Sequence, residues 1–200
     1  MKMQNHFRMG RLIHKKMAVN DIWLNKFLFM WGNLAPDLCF SYIYRLHTRA
    51  ASAHKLEKLL DQLYKGELTV ESMRFSYYLG VMSHYLCDFF CYPHTPVFKG
   101  GLREHYLYED KQTVNANDMP PFYMQKSMGL SRAKLIDMLD WYIINHEQSL
   151  AQNAKTANAD IPLAMYASAW AISAVYLNLA YNTADNYADE VIGGAFVGKM

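Results

Sequence analysis

Residues 79–94 read LGVMSHYLCDFFCYPH. Leu79, Val81, Met82, Leu86, Phe89 and Phe90 crowd the stretch, and it never alternates with the two-residue period of a half-buried strand. It is therefore predicted to be a buried helix, ended by Pro93. Two polar side chains interrupt its apolar surface. His84 and Asp88 stand four residues apart, about 40° around a helix axis, and share one face. A buried imidazole and carboxylate need partners, because an unpaired buried charge is costly. Taken alone, the pair could satisfy itself with a hydrogen bond.

Downstream, His94 follows Pro93, and His105 with Glu109 repeats the four-residue spacing. Five metal-capable side chains thus fall within 26 residues. Two independent pairs with a histidine between them favour metal binding over a self-satisfied pair. Imidazole nitrogen and carboxylate oxygen are normal zinc ligands; calcium would want more oxygens and an iron–sulfur cluster would want thiolates. Cys91 lies one turn after Asp88 and could face the same site, though a free cysteine is usually a small buried hydrophobe.

The helical pattern extends along the whole chain, so the fold class is all-α. A first helix is predicted over Asn5–Val19 and a second over Asp21–Trp31, with Asp21 as its N-cap. Gly32-Asn33 should break the second, and Pro36 should set an extended segment leading to Asp37. A third helix runs from Thr48 to Tyr64, closed by Gly66. A fourth starts at Thr69 as N-cap and runs to about Cys91. A fifth covers Leu102–Asn115, followed by a loop over Ala116–Met128 with Pro120-Pro121. Ser131 caps a sixth that reaches Ala154. The last runs from Ile161 to Asn182 or on to Ala188, and the Gly-rich tail 192–200 should fray.

The chain has 200 residues, 52% hydrophobic and 19% charged, with a net charge of +2. That is one domain, residues 1–200, able to bury a full core and unlike a disordered chain. Near-neutral charge leaves no footprint for a stable nucleic-acid partner. Lys2, Arg8, Arg11, Lys15 and Lys16 with no apolar run are not a signal peptide, so cytoplasmic location is the expectation. Phe27–Trp31 is too short to span a bilayer. The apolar stretch Ile161–Ala180 carries Pro162, Ser168, Ser173 and Asn178 and is read as a buried core helix, leaving no transmembrane segment. Three cysteines exclude a complete disulfide framework. Oligomeric state is not legible.

Read singly, the remaining histidines are unremarkable. His6 opens the first helix and His14 lies two turns along it. His47 and His54 flank the start of the third helix, and His146 sits in the sixth. Asp37, held by Pro36, reads as a helix cap.

Taken in order, these residues resemble a family: the bacterial zinc-dependent phospholipases C, in a superfamily shared with fungal single-strand-specific nucleases. The shared signature is a His near the N-terminus, an Asp in a Gly/Asn/Pro-rich turn, a His, then His-x-x-x-Asp, a His ten residues after the first of that pair, and His-x-x-x-Glu. This chain supplies His6, Asp37, His47, His84 with Asp88, His94, and His105 with Glu109. The resemblance covers about residues 5–110. It implies a multi-helix bundle with a metal cleft holding two zinc ions and up to a third. Asp37, His47, His84 and Asp88 would take one ion, His94, His105 and Glu109 another. Asp88 would bridge to a third shared with His6, a site the family completes with the amino group and carbonyl of an N-terminal Trp. This chain has no such Trp; five residues precede His6. Choline-selective members place a Tyr after the turn Asp, where this chain has Leu38, and an acid before the first His, near Gln4, so a phosphatidylcholine preference is not supported.

The implied activity is zinc-dependent phosphodiester hydrolysis. Zinc lowers the pKa of bound water from about 15.7 to about 7, and the hydroxide would attack phosphorus of a phospholipid head group or related phosphodiester, with Asp37 as catalytic base or orienting group. Two other readings stay open. A nuclease-like phosphodiesterase of the same superfamily should line its cleft with stacking aromatics and cations, yet the loop beside His105 offers only Lys99 and Arg103. A non-catalytic zinc-binding protein would close its coordination with no water position.

Overall fold

The computed structural model describes residues 1–38, 48–65, 67–122, 129–152 and 156–196, with residues 181–196 described by backbone. Among them are seven α-helices, two short 3-10 turns and no strand. The helices are α1 (Met3–Val19), α2 (Lys26–Leu38), α3 (Arg49–Tyr64), α4 (Met73–Phe89), α5 (Leu102–Lys111), α6 (Arg132–Gln152) and α7 (Asp160–Phe196). The 3-10 turns are Tyr92–His94 and Ala116–Asp118.

Two helices are apolar on nearly every side and form the centre. Along α4, Phe75, Leu79, Met82, Leu86 and Phe89 are buried together with the polar His84 and Asp88. In α7, Ile161, Met165, Ile172 and Val175 are fully buried among small alanines. The stretch Asp160–Ala180 is long and apolar enough to cross a membrane by composition. Here it packs on α4, α1, α6 and α3 and serves as a core helix.

The widest packing is between α2 and α4, and two glycines set it. A Cβ on Gly32 would lie 2.1 Å from the Tyr77 carbonyl oxygen, and one on Gly80 would lie 2.2 Å from that of Phe29. Any side chain at either position would push the backbones apart. This explains a difference from the sequence reading. Gly32-Asn33 does not break the second helix; α2 continues to Leu38 with Pro36 in its last turns. Burial of Gly32, Asn33 and Pro36 against α4 outweighs their poor propensity. Asp21 is not the N-cap: it adopts φ 57°, a left-handed conformation that Asp tolerates. Asn25 caps α2 instead, its Oδ1 accepting from the Leu28 N–H at 3.1 Å.

Other boundaries move by a turn or less, except at two ends. Thr48 caps α3 as expected, accepting from the Ala51 N–H. The fourth helix starts after Ser72, not Thr69. α5 stops at Lys111 instead of Asn115, and α7 extends to Phe196. Gly66 lies outside the described residues.

Candidate metal centre

His84 is fully buried in the second half of α4. Its Nδ1–H donates to the Asn33 carbonyl of α2 at 2.9 Å, across the close helix crossing. A carbonyl only accepts, so the bond fixes the tautomer and turns Nε2 toward Asp88 Oδ2 (3.4 Å) and Asp37 Oδ1 (3.8 Å). Asp88 Oδ1 meets His6 Nε2 of α1 at 3.1 Å. The His6 and His84 rings stack with centroids 4.0 Å apart. The donor atoms of His6, Asp37 and His84 all lie within 4.8 Å of one another.

A second group rests on the 3-10 turn and α5. His94 Nε2 and His105 Nε2 lie 2.9 and 2.8 Å from Glu109 Oε1. Cys91 Sγ lies within 4.8 Å of the donors of His94 and Glu109. Between the groups sits the α-amino group of Met1. It is 2.7 Å from Asp88 Oδ1, 2.7 Å from His94 Nε2 and 2.8 Å from Glu109 Oε1. His6, Asp37, His84, Asp88, His94, His105 and Glu109 are thus brought together, whereas His47 lies outside the described residues.

The electrostatics point one way. Burial alone would push the Asp88 carboxyl up. The neighbouring α-amino group, His94, His6 and His84 overrule it and hold Asp88 well below the usual carboxylate range. At Glu109, burial is likewise overruled by hydrogen bonds from His105 and His94, and the carboxyl is held low. Burial opposes charge on the Met1 amine and on His6, yet Asp88 above all raises them to about 12 and about 10. Burial lowers His94 and pushes the Cys91 thiol up. Two buried, ionised carboxylates ringed by imidazoles demand positive charge in their midst. Imidazole nitrogens and carboxylate oxygens are the donors zinc takes, so the residues fit zinc.

A supporting layer holds the second group. The Tyr92 N–H and the Tyr108 hydroxyl donate to Asp160 Oδ2 at 2.8 and 2.9 Å. Tyr92 opens the turn of His94, and Tyr108 precedes Glu109, so one carboxylate fixes both. His146 Nε2–H donates to the Phe90 carbonyl at 2.9 Å. Asn5 Nδ2 reaches the Gln112 carbonyl at the end of α5, and Lys2 pairs with Asp110.

A family model described as zinc dependent phospholipase C matches residues 5–160. The chain belongs to the zinc-dependent phospholipase C family. No curated protein and no solved structure matches it. Membership supports phosphodiester hydrolysis of the phospholipase C type and dependence on zinc. The span matched to this phospholipase C family contains every candidate ligand and ends at Asp160.

Other histidines do structural work. His14 Nε2 bonds the Leu24 carbonyl and packs on Phe29. His54 is exposed on α3. Two groups had escaped the sequence reading, the Asn33 carbonyl and Asp160; the resemblance had implied an N-terminal amino group beside Asp88 and His6, and the Met1 amine lies 2.7 Å from Asp88 Oδ1. The sequence cue for Asp160 was its place directly before the apolar run that opens at Ile161.

Proposed function

We propose that this protein is a zinc-dependent phosphodiesterase that cleaves the phosphodiester of a phospholipid head group. Asp37, His47, His84 and Asp88 would hold one ion, and His94, His105 and Glu109 a second. Asp88 and His6 would share a third. The observation that carries this is the division of Asp88: Oδ2 toward His84 and Oδ1 toward His6 and the Met1 amine. A carboxylate so divided is built to bridge cations. Zinc, when bound, supplies Lewis acidity for the phosphoryl oxygens and acidifies a water.

The chain's own residues supply orientation. Asn33 holds the His84 imidazole by its carbonyl, and Asp160 holds the elements of His94 and Glu109. Asp37 is the least buried of the three site carboxylates, with 22% of its side chain exposed against 6% for Glu109 and 1% for Asp88. It stands at the mouth, where it can accept a proton from an attacking water and keep that water in line with the leaving oxygen.

The test is zinc analysis of the purified protein, followed by hydrolysis of a chromogenic phosphodiester with and without chelator. Zinc that is retained by the wild type, lost in His84→Ala, and required for hydrolysis supports the reading. Zinc content below one ion per chain would sink the metal centre, and zinc without chelator-sensitive hydrolysis would remove the enzyme.

A further inference from the structure

We propose that the outer face of the α1–α2 hairpin docks on an anionic phospholipid bilayer. Trp23, Phe27 and Trp31 recur every four residues, and all three are exposed, Phe27 to 76%. Four residues are close to one helical turn, so Phe27 and Trp31 stand on one line along α2, and Trp23 stands just before the helix. Met3 and Phe7 of α1 are exposed too. Leu34 joins the two rows: Met3, Phe7, Arg8 and Leu34 line one groove of about 300 Å³. Single exposed apolar side chains are ordinary on a soluble surface. Three exposed aromatics at this spacing, two of them Trp, are the kind of feature that marks an interaction site. Indole rings also favour the boundary between water and lipid.

Charge selects the occupant. Arg8, Arg11 and Lys15 of α1 and Lys26 of α2 are exposed. α1 contains no Asp or Glu, and no carboxylate pairs with these four cations among the described residues. Against them stand the exposed Asp21 at the hairpin tip and the partly exposed Asp37 at the end of α2. Aromatics flanked by cations of one sign suit a surface that is apolar beneath and uniformly negative above, as an anionic bilayer is. A second copy of the chain suits it poorly, because a two-fold contact would set this cationic face against itself.

The position of the face gives docking a purpose. α1 turns His6 inward and Phe7 outward; α2 carries Leu34 one turn before Asp37. Docking would therefore bring the Asp37 edge of the metal centre to the lipid. That consequence rests on the proposed phospholipid hydrolysis, whereas docking itself does not.

The full-length, zinc-loaded protein can be sedimented with vesicles of phosphatidylcholine alone and of equal parts phosphatidylcholine and phosphatidylserine. Two variants are compared: Phe27→Ser with Trp31→Ser, and Arg8→Gln with Arg11→Gln and Lys15→Gln. The wild type should prefer the anionic vesicles and lose them as salt rises. Each variant should bind about tenfold more weakly or worse, with hydrolysis of a soluble phosphodiester unchanged. Wild type that ignores both vesicles, or variants that bind as wild type does, would overturn the proposal. So would an apolar-face variant that keeps vesicle binding while a wild-type dimer falls apart. Docking without any hydrolysis would leave this proposal standing and sink the catalytic one; hydrolysis without docking would do the reverse.

Discussion

Asp160→Asn probes the layer beneath the metal centre. Asp160 is fully buried at the start of α7. Both of its donors, the Tyr92 N–H and the Tyr108 hydroxyl, reach Oδ2, while Oδ1 meets no hydrogen-bond donor. An asparagine amide oxygen can stand where Oδ2 stands and keep both bonds. What the substitution removes is the titration. Burial raises the Asp160 carboxyl from 3.8 to about 6, the bonds from Tyr92 and Tyr108 only partly offsetting it. A folded value above the unfolded one means that the folded state holds the proton more tightly. The resulting stabilisation is present in full below 3.8 and is lost as pH rises through about 6. Near pH 7.5 the contribution is close to zero, and near pH 4.5 it comes to about 2 kcal/mol. Urea unfolding of chelator-treated wild type and variant at these two pH values reads it directly. Titration of Asp88 and Glu109 is common to both proteins and cancels in the difference. The stability gap should shift by about 2 kcal/mol in favour of the wild type on acidification. A gap that stays flat, or moves the other way, would refute the account of Asp160 as a buried carboxyl strained by its ionisation.

Four further outcomes are expected. Gly80→Ala should destabilise the fold by about 1–3 kcal/mol and weaken zinc binding, because its Cβ would strike the Phe29 carbonyl; thermal unfolding and metal analysis would show both. Tyr108→Phe removes the hydroxyl that bonds Asp160 and should cost about 0.5–1.5 kcal/mol in urea unfolding. Zinc present at about a hundred times its dissociation constant should stabilise the fold by about 2.7 kcal/mol, so chelation should lower the melting temperature and zinc should restore it. Asp37→Asn should lower kcat about 10²–10⁴-fold, measured on a soluble phosphodiester, while the zinc held by His94, His105 and Glu109 stays in place.

The sequence made the local half of the site legible. His84 with Asp88 and His105 with Glu109 lie one helical turn apart, so periodicity alone puts each pair on one face. His94 follows from a proline that had to end α4. The resemblance then ordered His6 and Asp37, residues that nothing local distinguished from a surface histidine and a helix cap. The supporting contacts were hidden because they join positions far apart in the chain. Asn33 meets His84 across 51 residues and Asp160 meets Tyr92 across 68, and no periodicity encodes such a pairing. The break expected at Gly32-Asn33 failed for a related reason. Propensity ranks Gly and Pro as poor helix formers but is blind to the neighbour that rewards them.

That neighbour ties fold to function. The Asn33 carbonyl can reach the His84 imidazole because α2 and α4 meet backbone to backbone at Gly32 and Gly80. The same approach carries Asp37, one turn beyond Asn33, to the Nε2 side of that ring. Had α2 ended at Trp31, Asp37 would hang on a loop and its position would be paid for in conformational entropy each time a cation or water arrived. On a continuous helix it is placed in advance, as His84 and Asp88 are by α4. Gly32, which looks like a helix breaker, and Gly80 are thus what lets two helices bring a tautomer-fixing carbonyl and a carboxylate to one buried imidazole.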